Sequence, residues 1–347
     1  MGWRLRVAHT TQVSYTAPVR TSFNEARMTP LTLPTQITLE SRVSAGPGVP
    51  VWTYCDYWGT FVSVFDITEP HESLTVRAQA TVETGHGLSE VDPAAPERLP
   101  WDELRARART GRLLEFLLPT PMTTVTPGAA AAVLDAVRGA DPVEAATEIA
   151  TRVRAQVSYM AGATGVRTNA QEAWDQGEGV CQDMAHVTVA LLRAAGLPAR
   201  YVSGYLHADP SAEPGQTVVG ESHAWVEYWA GSWLPCDPTS GAPVRERHVV
   251  VARGRDYVQA PVVHPVGNAP GAQGLRHPPG LADVLPLAFP GREHHPPLPE
   301  PVHLRALQAR QELQRRGVVQ VLAPGSVVEA VDPVAAAHAD RGAEHVG

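Results

Sequence analysis

Cys181, His223 and Asp237 are the residues whose types and order in this chain could do covalent chemistry. A thiol supplies a nucleophile, an imidazole can take its proton, and a carboxylate can fix the imidazole tautomer and stabilise its charged form. Cys181 follows the turn Gly177-Glu178-Gly179 and opens a strongly apolar run. Met184, Val187, Thr188, Leu191, Leu192 and Ala195 recur at i, i+3, i+4, i+7, i+8 and i+11, one face of a helical period, so a helix is predicted from Cys181. Gly196 suits its C′ position, and Pro198 cannot continue it. The cysteine therefore falls in a helical first turn, where unpaired N–H groups and the helix dipole favour a thiolate. The competing reading of each residue alone is structural: a small core cysteine, a buried histidine, a strand-end aspartate.

The partners can be tested by parity. Residues 222–229 read as a strand that puts His223, Trp225 and Glu227 on one face. A hairpin turning near Ala230-Gly231 would bring Asp237 back beside the histidine. A two-residue turn pairs 224 with 237 and points Asp237 away from His223. A three-residue loop over 230–232 pairs 229 with 233 and 225 with 237, and makes His223 and Asp237 diagonal neighbours. Such loops commonly carry a left-handed glycine, and Gly231 is available. A three-residue loop or an equivalent bulge is expected.

These residues need elements to hold them. Residues 1–86 read as an all-β unit, with period-two runs at RLRVAHTTQVSYT, QITLESRVS, VWTYCDYWGTFVSVFDI and SLTVRAQATVET. Cys55 falls in the third run, where structural burial is expected. Residues 87–140 read as a helical connector in which WDELRARARTGRLLEFLL forms one helix. From 141 to 262 the pattern becomes mixed: Asp141 caps a helix begun by Pro142, AQEAWDQ forms a short helix, and ARYVSGYL, SHAWVEYW, SWLPCD and VRERHVVVARGRDY read as strands. Residues 263–347 are Pro-rich and are expected to form a mostly disordered tail with no catalytic part.

Composition narrows the chemistry. The formal net charge of −8 argues against nucleic acid as a partner. The 28 basic residues are all arginine, which excludes Schiff-base, pyridoxal phosphate and P-loop lysine chemistry in this chain. Three cysteines, Cys55, Cys181 and Cys236, make no disulfide scaffold, and neither CxxC nor HExxH occurs, so no metal and no cofactor are expected. No apolar run is long enough to span a membrane. The N-terminus lacks the apolar segment of a signal peptide, and a cytoplasmic protein is expected.

The local contexts together resemble the bacterial and archaeal branch of the transglutaminase-like superfamily. GEGVCQDMAHVTVALLRAAGLPARYVSGYL is similar to its cysteine motif, ESHAWVEYW to its histidine motif and LPCDPTSG to its aspartate motif. SYTAPV, FNEARMTPL and DYWGTFVSVFDI resemble the β-rich domain that often precedes this core. The resemblance covers roughly residues 3–262 and stops before the family's usual closing strand. It implies an α+β, papain-like fold in which a helix bearing the nucleophile packs on an antiparallel sheet. It implies Cys181 as nucleophile, His223 as base and Asp237 as orienting acid. Gln182, Trp225 and Tyr205 are candidates to line the site. The implied reaction is acyl transfer or amide hydrolysis on a peptide or protein through a thioester. A catalytically silent peptide-binding module is the alternative, and the oligomeric state is open.

Overall fold

The computed structural model describes residues 2–46, 48–85, 98–212, 217–220, 222–261, 263–267, 321–322 and 326–331. Six strands come first: β1 (Trp3–Val19), β2 (Ser22–Ala26), β3 (Gln36–Gly46), β4 (Trp52–Cys55), β5 (Phe61–Ile67) and β6 (His71–Thr84). Alternation orients them, as Leu5, Val7 and Val13 of β1 are buried while Arg6 and Gln12 are exposed. β1 pairs antiparallel with β6 in unbroken register from Trp3–Thr84 to Ser14–Ser73.

The run from 51 to 67 divides into β4 and β5. The Asp56 carboxylate accepts N–H bonds from Trp58 (2.9 Å) and Thr60 (3.0 Å), and Gly59 takes φ +82° in the turn. The burial expected for Cys55 is not found. It is exposed, because β4 is an edge strand whose four residues all face solvent.

The connector contains α1 (Trp101–Ala108) and α2 (Pro127–Ala136). The single helix expected over WDELRARARTGRLLEFLL is two pieces, α1 and a 3₁₀ turn over Gly111–Phe116. Gly111 takes φ +60° and Thr110 is extended, which no continuous helix permits. α3 (Pro142–Gln156) starts as predicted. The Asp141 carboxylate accepts from the Val143 and Glu144 N–H groups at 2.8 and 2.9 Å, and Glu144 accepts from the Asp141 N–H at 3.2 Å.

Beyond it lie β7 (Ser158–Tyr159), α4 (Ala170–Gln176), β8 (Glu178–Gly179), α5 (Cys181–Ala195), β9 (Ala199–Leu206), β10 (Thr217–Gly220), β11 (Ser222–Trp229), β12 (Trp233–Cys236), β13 (His248–Gly254), β14 (Val263–Gly267), β15 (Val321–Leu322) and β16 (Ser326–Val331). The sheets run β10-β16-β1-β6-β3, with β15 also on β1; β12-β11-β9-β13; β14-β2-β5-β4; and the parallel pair β7-β8. No described helix is long and apolar enough to cross a membrane.

α5 is buried along nearly its whole length between β9 and β11 on one side and α3 and α4 on the other. Gly196 caps it at φ +95°, as its place in the sequence predicts. Leu5, Val7, Ala80 and Val82, from β1 and β6, belong to the same core as Met184, Val187, Leu191 and Val226. A smaller core, with Val13, Met28, Phe65 and Leu74, lies wholly within the β-rich unit. The β-rich unit and the helix-bearing unit thus share a hydrophobic core. Polar clasps reinforce the junction: the Gln36 amide donates to the Val250 carbonyl (2.9 Å) and accepts from its N–H (2.8 Å).

Three strands lie in the stretch expected to be an unpacked tail. β14 pairs with β2, and β15 and β16 pair with β1. The physical reason is that sheet edges are joined by backbone N–H and C=O groups, so a strand can dock there without a strong apolar alternation. The most Pro-rich part of that stretch, residues 268–320, and residues 332–347 lie outside the described residues.

Candidate active site

The site forms where α5 begins and four strand ends converge. β9 and β11 pair antiparallel with His223 opposite Gly204, so β11 starts where β9 finishes. β12 finishes beside that start, and β13 begins beside the end of β9 with His248 opposite Leu206. Cys181, first residue of α5, points its Sγ at the Ser222 carbonyl, 4.0 Å away. Intrahelical bonds leave the N–H groups of a first turn free, so those of Cys181 and Gln182 can serve an anion there.

The hairpin has the parity that the sequence requires. Trp229 pairs with Trp233 across the three-residue loop 230–232, and Gly231 takes φ +111°. Asp237, one residue past β12, turns back to His223, whose Nε2 lies 2.9 Å from its Oδ2. That leaves Nδ1 for Cys181. Asp237 is itself held by the Ser240 hydroxyl at 2.6 Å on Oδ2 and by the Thr239 and Ser240 N–H groups at 2.9 and 3.3 Å on Oδ1.

The electrostatics follow from these bonds. Burial alone would lower the His223 pKa. Hydrogen bonds to Asp237 and Cys181, and the charges of both, outweigh it and raise it to about 10. Burial by itself would raise the Asp237 pKa, but the hydrogen bonds from His223 and Ser240, with the His248 imidazole close by, depress it far below the usual carboxylate range. An imidazolium at neutral pH facing both a carboxylate and a cysteine follows. Cys236, adjacent to Asp237, differs: burial and that neighbouring charge push its thiol up to about 12.

The three candidate lining residues have other places. Tyr205 is fully buried, with its hydroxyl 3.1 Å from His9 Nδ1, so it is part of the junction between units and does not line the site. Trp225 is also fully buried, but its ring stacks on the His223 imidazole at 6.0 Å and backs the base. Gln182 donates its amide to the Val166 carbonyl (3.2 Å), tying the loop before α4 to α5. Asp183 ties the same loop through Thr164 and accepts from the Val180 N–H at 2.8 Å. A Cβ on Gly179 would lie 2.9 Å from the Asp183 Cβ, so the space beside that glycine is filled by Asp183 and is not open to substrate.

Two site residues escaped the sequence reading. Gly204 reads as one residue of a buried strand, yet a Cβ there would meet the Val249 carbonyl oxygen at 2.0 Å and the Trp225 ring at 2.6 Å. His248 reads as the start of a strand, yet its Nε2 lies 3.5 Å from Asp237 Oδ2. His223, Asp237 and His248 offer ligand atoms within 4.8 Å of one another, so the fold assembles a possible metal-binding group that no sequence motif announces. The His223–Asp237 ion pair, with His248 packed beside it, accounts for the clustering without an ion.

A helix opened by a cysteine and packed on an antiparallel sheet that carries histidine and aspartate defines the papain-like, transglutaminase-like class of α+β fold. The chain belongs to the transglutaminase-like superfamily: the model of that superfamily matches residues 131–238, and that of the bacterial transglutaminase-like N-terminal region matches residues 5–83. An uncharacterised protein of Mycobacterium leprae is 39% identical over 273 residues, 79% of this chain and 96% of its own. An uncharacterised Mycobacterium tuberculosis protein is 33% identical over 276 residues, covering 74% of this chain and 85% of its own. A protein-glutamine gamma-glutamyltransferase of Pseudomonas aeruginosa is 40% identical over 70 residues, only 19% of this chain and 10% of that one. The crystal structure of a candidate cysteine protease from Cytophaga hutchinsonii shares the fold, with TM-score 0.62, 22% identity and coverage of 77% of this chain and 87% of that one.

Proposed function

We propose that this protein is a cysteine-dependent acyl-transfer enzyme acting on amide groups of peptides or proteins, with Cys181 as nucleophile, His223 as acid–base and Asp237 as the group that orients it. The observation that carries this reading is the His223–Asp237 bond of 2.9 Å, made at the mouth of the helix that Cys181 opens. The Cys181 sulfur attacks the amide carbon, and the backbone N–H groups of the α5 first turn receive the oxyanion. His223 Nδ1–H gives its proton to the leaving amine or ammonia, and the C–N bond breaks to leave a thioester. Water or an amine, deprotonated by the now neutral His223, then attacks the thioester, and the C–S bond breaks to restore the Cys181 thiolate beside the reprotonated His223. Water completes hydrolysis; an amine completes transamidation. The short match to a gamma-glutamyltransferase supports acyl-transfer chemistry in this segment. The three free thiols support a reducing, cytoplasmic setting.

The test is covalent trapping read by intact mass and peptide mapping. Iodoacetamide at neutral pH is expected to label Cys181 well ahead of the exposed Cys55, with half-buried Cys236, whose thiol pKa is raised, slowest. Incubation with glutamine-containing peptides and a primary amine should give either amine adducts or free carboxylate, and Cys181→Ala should give neither. A Cys181 no faster than Cys55, with no turnover of any peptide, would leave the silent binding module as the reading.

A further inference from the structure

We propose that His248 is a second positioning residue of the site, donating its Nε2–H to the same Asp237 carboxylate oxygen that His223 meets; this rests on the proposed function above. His248 opens β13, on the far edge of the sheet from β12, and lies beyond the segment that matches the superfamily model. Its side chain is almost wholly buried.

Three contacts fix how it is used. The Arg245 N–H donates to His248 Nδ1 at 3.3 Å, which assigns the neutral tautomer with the proton on Nε2. That Nε2–H is buried with no hydrogen-bond partner among the described residues, and the nearest carboxylate oxygen is Asp237 Oδ2 at 3.5 Å. Trp225 packs edge to face on the His248 ring at 5.3 Å while it stacks on His223 at 6.0 Å. One indole thus holds both imidazoles against one carboxylate.

The arrangement matters because the charge on His223 is transient. When His223 passes its Nδ1 proton to the leaving amine it becomes neutral, and Asp237 loses the cation that offsets its charge. A buried carboxylate left with fewer partners would rise in basicity and draw the His223 Nε2 proton, which would spoil the tautomer needed for the second half of the reaction. The waiting Nε2–H of His248 can shorten onto Oδ2 at that moment. It adds no charge of its own, so it does not compete with His223 as a cation. The polar groups facing His248 are Asp237, His223 and the neighbouring Arg247.

The proposal is tested on the full chain with three substitutions. His248→Leu removes the donor, and His248→Gln can place an amide N–H near the Nε2 position. His248→Asn, whose amide mimics Nδ1 and falls short of Asp237, serves should leucine prevent folding. Readouts are Cys181 alkylation rate against pH and the downfield imidazole N–H resonance of the His223–Asp237 bond. Leucine or asparagine is expected to shift upward, by about one pH unit, the pH at which the resonance and the alkylation profile report loss of the His223 proton, as befits a lost hydrogen bond to a charged group; glutamine should restore it. Unchanged profiles and resonance in His248→Leu or His248→Asn, while His223→Gln slows alkylation, would overturn the role of His248 alone. If His223→Gln itself has no effect, the proposed function falls with it.

Discussion

At the scale of single residues, the site depends on an imidazole kept charged against its own burial. Because the His223 pKa stands near 10, the imidazolium required for leaving-group protonation persists through neutral pH and is lost as pH rises through about 10. The alkaline limb of a turnover profile should therefore fall there and not near the 6.5 of an ordinary histidine. Asp237→Asn is expected to slow turnover by a hundredfold or more, since the neutral amide neither stabilises the imidazolium nor holds its tautomer. Its alkaline limb should move down in pH, because the charge that raised the His223 pKa is gone. Both effects are read from one pH–rate series on the two proteins.

At the scale of elements, the site is held by contacts that admit no extra atoms. β9 and β13 approach so closely at Gly204 that a methyl group would collide with the Val249 backbone and with Trp225, the indole behind both histidines. Gly204→Ala is expected to cost about 2 kcal/mol or more, read as a lowered urea midpoint, and to slow Cys181 alkylation as Trp225 is displaced. The loop that precedes α4 is pinned to α5 by Thr164 and Asp183. Burial raises the Asp183 pKa against the bonds from Thr164 and Val180 that oppose it. Thr164→Val removes one of the two and should cost on the order of 1 kcal/mol in chemical denaturation, with faster hydrogen exchange along residues 160–169.

At the scale of the whole molecule, the junction between the β-rich unit and the helix-bearing unit sets a pH range for stability. His9 is buried against Tyr205 and Thr11, and burial lowers its pKa to about 4. His186, enclosed in α5, is lowered to about 3 by burial and by Arg193. Both pKa values are depressed, so the unfolded chain binds protons that the folded chain refuses as pH falls below 6.5. Stability should drop between pH 6.5 and about 4, each histidine contributing on the order of 3 kcal/mol. The His223 term has the opposite sign, being present below 6.5 and lost as pH rises through about 10. Unfolding midpoints across pH 3.5–10 should show both declines, and His9→Gln should flatten the acidic one.

What the sequence by itself determined was local. The periodicity of α5 places Cys181 in a first turn, the Asp141 box starts α3, and the parity of one hairpin decides that Asp237 and not Cys236 faces His223. Each follows from spacings of a few residues, and side-chain direction repeats over those spacings by covalent geometry alone. Only the tertiary structure decided that His248 joins Asp237, that Gly204 makes room for Trp225, that Tyr205 faces His9 and that Cys55 is exposed at an edge. Those outcomes depend on the strand order β12-β11-β9-β13 and on β1 and β6 closing over the same core as α5. Such pairings join residues far apart in the chain, and no short-range pattern carries the register that brings them together.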